Sequence, residues 1–275
     1  MSPSRPSYHG TIRSNGCEIF YELTGSGPAL VFAHGLGGNY LSWWQQIPHF
    51  SDRFTCVTFS HRGFWPFTDT PASFGTSDFA DDLAALVDHL KLQEAVFIAQ
   101  SMGGWTCLEY ARRFPGRVRA LVLSSTSGAV NFRALNYPDA QTLPLWESHA
   151  DEVRKELESK QILAATGDRM AMEKPALYYL YRGLNELTPL SFRDEVRKKI
   201  RSERTLQPEK VQQLKAPMLF ITGDEDIVFP PVAASALAAL LPNAHHHQVQ
   251  GAGHSVYFEK ADVFNTIVDS FLDRL

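Results

Sequence analysis

Three things are scarce in this 275-residue chain, and each scarcity removes a class of protein. Cysteine occurs only at Cys17, Cys56 and Cys107. An odd, widely spaced set lying in apolar stretches builds no disulfide framework and has no metal-ligand spacing, so free buried thiols in a reducing compartment are expected. Long apolar runs are missing too: nothing approaches the roughly 18 residues of a membrane span, and Met1 to Gly10 lacks the apolar centre of a secretion signal. Excess positive charge is the third absence. With a formal net charge of −4, the chain as a whole attracts neither nucleic-acid phosphates nor anionic headgroups. The expectation is a soluble cytoplasmic protein with a small-molecule partner, no nucleic acid and no membrane; oligomeric state is not legible.

What is present is material for a core. A chain of this length with 44% hydrophobic residues buries about three quarters of its unfolded surface, so one large domain needs no metal or disulfide staple. Thr11 to Thr24 alternates around Gly16 as a hairpin, and Ala29 to Ala33, Phe54 to Phe59, Ala95 to Ala99, Arg119 to Ser125, Pro217 to Thr222 and His246 to Gln250 read as strands. Leu41 to Phe50 reads as a short helix. Thr76 to Leu90 is the clearest helix, with Phe79, Leu83, Leu86, Val87 and Leu90 on one stripe, acids at its start, and Thr76 or Ser77 as cap. A closing helix is expected from about Phe258 to Leu275. Strands alternating with helices predict an α/β fold with a mostly parallel sheet covered on both faces. The interval 129–212 breaks the rhythm with helical runs such as Ala150 to Glu158 and Ala176 to Leu187, and reads as a helical insertion between core segments 1–128 and 213–275. Its aromatics, among them Trp146, Tyr178, Tyr179, Tyr181 and Phe192, either line a pocket over the sheet edge or pack the insertion onto the core.

The most informative stretch is Ala99-Gln100-Ser101-Met102-Gly103-Gly104, a serine between a buried strand and a helix that stops at Pro115. Such a serine either caps the helix or sits on a sharp turn as a nucleophile, and the turn needs small residues two positions away on each side. Ala99 and Gly103 meet that need. Three further features bear on the choice. His34-Gly35-Leu36-Gly37-Gly38 follows a strand and can present the Leu36 amide, with that of Met102, as an oxyanion hole. Gly223-Asp224-Glu225-Asp226 follows another strand and offers three acids, where open parallel sheets gather functional groups. Gly251-Ala252-Gly253-His254-Ser255 follows the last strand and offers a general base on a glycine-rich loop. The run His245-His246-His247 suggests a metal, but alternate strand residues face opposite ways and no further ligand completes a set. No metal or organic cofactor is expected.

In the order serine, acid, histidine, with a preceding oxyanion loop, the chain resembles the α/β-hydrolase family over nearly its whole length. That resemblance implies an eight-stranded-type, mostly parallel sheet with a helical cap. It implies Ser101 as nucleophile, His254 as base, Leu36 and Met102 as oxyanion amides, and Asp226 as the acid, because Gly223, Asp226 and Pro230 match the family's G-x-x-D pattern with a following proline. Relatives with the acid after the earlier strand have no counterpart here, since Ser124-Ser125-Thr126-Ser127 carries no carboxylate, and Ser101 excludes the aspartate nucleophile of relatives that open epoxides or remove halides. One departure stands out. Where relatives read D-x-R-G-x-G-x-S, this chain reads Ser60-His61-Arg62-Gly63-Phe64-Trp65-Pro66-Phe67. Trp65 and Phe67 are therefore expected on the pocket wall, and with Gly35, Trp105, Trp146 and Tyr178 they form the expected substrate contacts.

The expected reaction is hydrolysis of a carboxylic ester or lactone through an acyl-enzyme. The alternatives are carbon–carbon bond hydrolysis of a vinylogous diketone, whose enzymes often carry tryptophan where Ser255 follows the histidine, and a non-hydrolytic ligand sensor or cofactor-free oxygenase on the same fold.

Overall fold

A computed structural model describes residues 7–275; the first six positions of the polar start lie outside the described residues. Eight strands form one sheet in the order β1-β2-β4-β3-β5-β6-β7-β8, where β1 is Ser7–Ser14, β2 Cys17–Thr24, β3 Ala29–Ala33, β4 Thr55–Phe59, β5 Ala95–Gln100, β6 Val118–Ser124, β7 Met218–Gly223 and β8 Ala244–Val249. The first two strands form the expected antiparallel hairpin, and β2 also pairs antiparallel with β4; every other pairing is parallel.

Side-chain alternation along these strands divides the core in two. Val31, Val57, Phe97, Leu121 and Phe220 point to one face, packed with helices α2 (Thr76–His89), α3 (Gly103–Arg113) and α8 (Pro231–Leu240). Leu30, Phe32, Ile98, Val122 and Leu219 point to the other, with Trp43, Phe50 at the end of α1 (Gln46–Phe50), α9 (Val256–Glu259) and α10 (Ala261–Leu272). A strand buried on both faces has no polar positions to spare, which is why these runs are continuously apolar.

Several boundaries differ from expectation for local reasons. The closing helix is two helices, broken at Lys260 (φ −132°, ψ 53°). Helix α2 is not capped by Thr76 or Ser77; Gly75 occupies the cap position, and the Thr76 N–H and hydroxyl both donate to the Glu203 carboxylate, at 2.8 and 2.7 Å. Cys17 is half-buried, while Cys56 and Cys107 are buried, and none of the three is in a disulfide among the described residues. No helix among the described residues is long and apolar enough to cross a membrane.

Between β6 and β7 the chain leaves the sheet for four helices: α4 (Thr142–Ser159), α5 (Gly167–Glu173), α6 (Pro175–Glu186) and α7 (Leu190–Ser202). The ends of this excursion are stitched together where Asn131 N–H donates to Leu206 C=O and Leu206 N–H to Ala129 C=O, at 2.8 and 3.0 Å.

The loop after β4 is held by a buried ion pair rather than by the glycines and serine expected of relatives. The Arg62 guanidinium grips Asp82 of α2 through two parallel bonds of 2.7 and 2.6 Å, both side chains being removed from solvent. Removing the cation would leave an uncompensated buried carboxylate. Arg62→Met should therefore lower unfolding free energy by about 3–5 kcal/mol. Urea denaturation checks this; a loss of well under 1 kcal/mol would show that the pair does not anchor the loop.

Candidate active site

The site is assembled where β3, β5, β7 and β8 end. Ser101 follows β5 with φ 49°, a left-handed conformation that costs a non-glycine residue on the order of 1–3 kcal/mol. The surroundings impose it. Ser101 N–H is held by Ser124 C=O at 2.9 Å, and the first helical turn begins at once, with Gly104 N–H donating to Ser101 C=O at 2.9 Å. Helix α3 then lies so close to β3 that a Cβ on Gly103 would sit 2.3 Å from the Ala33 carbonyl oxygen. Ala99, in place of the usual glycine, is fully buried beside Ala33 and Leu123 of the flanking strands.

On the other side, the loop after β3 runs against the serine. A Cβ on Gly35 would collide with Gln100 Oε1 at 1.8 Å and approach Ser101 Cβ at 3.3 Å, so only glycine lets this loop reach the Ser101 turn. No acceptor among the described residues takes the Leu36 or Met102 N–H. The loop is fixed from beneath by a chain of neutral groups. Burial lowers the His34 imidazole to about 4, so it is neutral at pH 7 and donates through Nδ1 to Gly35 C=O at 2.7 Å. Its Nε2 accepts from His61 N–H at 3.0 Å, and the His61 ring bonds Thr106 of α3 at 2.8 Å. This assignment of donors ties the loop after β3 to α3, the helix that follows Ser101.

Of the three competing acids, the structure separates roles. Asp226 is buried, accepts the Val228 and Phe229 N–H groups at 2.8 and 2.9 Å, and meets His254 Nδ1 at 2.9 Å. Asp224 accepts the Gly251 N–H, and Glu225 pairs with Arg169 at the surface. With Nδ1 so held, His254 keeps Nε2 for other work. Ser101 and His254 both line a cavity of about 500 Å³, together with Leu36, Trp105 and Tyr181. Ser101 Oγ makes no hydrogen bond among the described residues; such contacts commonly tighten only when substrate binds.

Four of the expected substrate contacts lie elsewhere. Trp65 stacks on Tyr40 at 5.5 Å and 9°, and neither it nor Phe67 reaches the cavity; Phe64 turns inward instead, edge-on to His34 and Phe192. Trp146 spends its indole N–H on the Asp226 carbonyl at 3.0 Å, behind the acid loop. Tyr178 bonds the Gln161 carbonyl and packs in the core, while Tyr181, one helical turn on, faces the cavity and accepts from Ser255 Oγ at 2.9 Å. Gly35 lines an adjoining recess of about 10 Å³. Trp105 is the contact that lies where expected.

Sequence reading also passed over residues that the fold brings in. Gln100 reaches the His254 carbonyl at 3.5 Å, and Arg154 with the arginines of α7 and its following turn completes the cavity wall. Glu259, buried, accepts the N–H groups on either side of His254, Gly253 at 2.7 Å and Ser255 at 2.9 Å. A glutamate five residues after a histidine carries no recognisable spacing; only the return of α9 beneath the loop makes it a clamp.

Comparison with known proteins agrees with this fold. Residues 28–261 match the family model described as alpha/beta hydrolase fold. A Mycobacterium tuberculosis protein provisionally named a non-heme bromoperoxidase is 26% identical over 256 residues, covering 92% of this chain and 97% of that protein. The 3-oxoadipate enol-lactonase 2 of Acinetobacter baylyi is 24% identical over 294 residues, covering 98% and 99%. Among solved structures, a thermophilic esterase from Thermogutta terrifontis superposes with a TM-score of 0.75 at 22% identity, covering 98% of each chain.

The Glu259 clamp has a signature in pH. Burial raises its carboxyl to about 7 against the pull of the two N–H bonds, so between its ordinary range and that value the folded chain holds a proton the unfolded chain releases. Its stabilising contribution is full below about pH 4.5 and lost as pH rises through about 7. The stability of wild type relative to Glu259→Gln should thus fall between about pH 5 and pH 8, by on the order of 3 kcal/mol, as read from paired thermal unfolding curves. A difference independent of pH would exclude this role.

Proposed function

We propose, from the premise that the chain belongs to the α/β-hydrolase family, that it is a serine hydrolase cleaving a carboxylic ester or lactone through an acyl-enzyme. One observation carries this reading: a strained serine and a histidine backed by a buried aspartate converge on one cavity, while the Leu36 and Met102 N–H groups have no acceptor among the described residues. In the proposed reaction His254 Nε2 takes the Ser101 proton as Oγ attacks the carbonyl carbon. The oxyanion is stabilised by the Leu36 and Met102 amides, and Asp226 offsets the imidazolium charge. Collapse of the adduct expels the alcohol, protonated by His254, and leaves the acyl group on Ser101. Water, deprotonated by His254, then releases the acid and restores the serine.

In this reading the excursion at 129–212 is the cap over the pocket, and neither metal nor organic cofactor takes part. Three cysteines outside any disulfide fit a reducing, cytoplasmic setting. Support for a compact ester or lactone comes from Ser255 with its Tyr181 partner, which occupy the place where relatives that hydrolyse carbon–carbon bonds often carry tryptophan.

Ser101→Ala should lose on the order of a millionfold in kcat on p-nitrophenyl acetate and butyrate, and Asp226→Asn about a thousandfold or more. A fluorophosphonate should add one label to wild type, located at Ser101 by mass spectrometry, and none to Ser101→Ala. Full esterase activity in Ser101→Ala would overturn the assignment. Labelling without ester turnover would move the reaction to another bond.

A further inference from the structure

Much of the cavity wall is cationic, although the chain as a whole carries a net charge of −4. Arg154, Arg193, Arg197, Arg201 and Arg204 line it, against Glu158 as the one carboxylate. Arg193, Arg197 and Arg201 recur every four residues and so share one face of α7.

Three of the five are occupied by the protein. Arg154 donates to the Ile227 carbonyl at 3.2 and 3.0 Å and pairs with Asp151; Arg193 donates to Thr188 C=O at 3.1 Å and to Asn185; Arg197 pairs with Asp194. Arg201 and Arg204 are different. Neither forms an ion pair or a side-chain hydrogen bond among the described residues. The Arg204 guanidinium is sandwiched against Trp105 at 4.9 Å and Phe132 at 4.5 Å, which fixes its plane. Its Nε and the Trp105 Nε1 are both buried donors without an acceptor among the described residues. Burial and the neighbouring Arg201 and Arg133 lower the Arg204 guanidinium to about 10, and burial with Arg197 and Arg154 acts the same way on Arg201. Massing guanidinium groups and orphaning buried donors is costly unless something anionic completes the site.

We propose that this cavity selects esters or lactones carrying a free carboxylate remote from the bond cleaved, with Arg201 and Arg204 as its ligands. A planar guanidinium held on aromatic faces is pre-organised for a carboxylate. The cavity of about 500 Å³ suits a small acid rather than a polymer. Cleavage itself rests on the serine-hydrolase reading; recognition of the carboxylate does not.

Two measurements separate these. In turnover, mono-p-nitrophenyl glutarate is compared with its neutral methyl ester, p-nitrophenolate release being read for both. The ratio of kcat/KM, anionic over neutral, should exceed about tenfold in wild type and fall towards one in Arg201→Gln and Arg204→Gln, mainly through KM on the anionic ester. It should also fall as salt is raised to about 0.5 M. In binding, Ser101→Ala is titrated calorimetrically with glutarate, dimethyl glutarate and inorganic phosphate. Glutarate should bind, dimethyl glutarate should not, and Arg204→Gln in the same background should weaken glutarate at least about tenfold. Arg201, at the solvent edge, supplies a second variant should Arg204→Gln fail to fold. Equal handling of both esters, or no binding of glutarate, overturns the proposal even if Ser101 proves to be the nucleophile. Phosphate binding tighter than glutarate overturns the carboxylate assignment. Selective glutarate binding without ester turnover sustains it while the hydrolase reading fails.

Discussion

Everything at the site depends on how closely α3 approaches the sheet. Ser101 holds a backbone conformation unfavourable to serine because its N–H is taken by Ser124, its carbonyl starts the helix, and Gly103 lets the helix settle against the Ala33 carbonyl. Parallel pairing of β3, β5 and β6 brings those partners level. On the other side Gly35 lets the loop after β3 approach Gln100 and Ser101, so the same turn is approached closely from both sides.

Around that turn the supporting interactions are buried and specific. Arg62 with Asp82, His34 with His61 and Thr106, and Glu259 with the two amides flanking His254 each fix a loop that would otherwise wander. In a family in which glycine and serine commonly shape the loop after β4, this chain instead packs Phe64 inward and stacks Trp65 on Tyr40. The rings thereby stiffen the wall from behind without narrowing the cavity.

Global and local electrostatics point in opposite directions. A net charge of −4 bears on long-range attraction to polyanions, but within a walled cavity the nearest charges dominate. Arginines at 193, 197 and 201 are spaced to share a helix face, and that signal was open to reading; what it faced was not, because an amphipathic charged helix is ordinarily a solvated one.

Local chemistry along the chain was enough to determine the α/β class, the strand cores, helix α2 and the positions of Ser101, Asp226 and His254 relative to strand ends. Each rests on periodicity or on a short motif whose geometry is local. Helix α8 escaped because Pro231 to Leu240 is apolar on every side and has no stripe to recognise. Which aromatic faces the cavity, Tyr181 and not Tyr178, and which acid meets His254 by contact and not by pattern, were decided only when distant segments packed together. A side chain's direction is set by what its neighbours leave open, and those neighbours lie tens of residues away in sequence: Trp146 against Asp226, Thr188 against Trp65, Glu203 against Thr76.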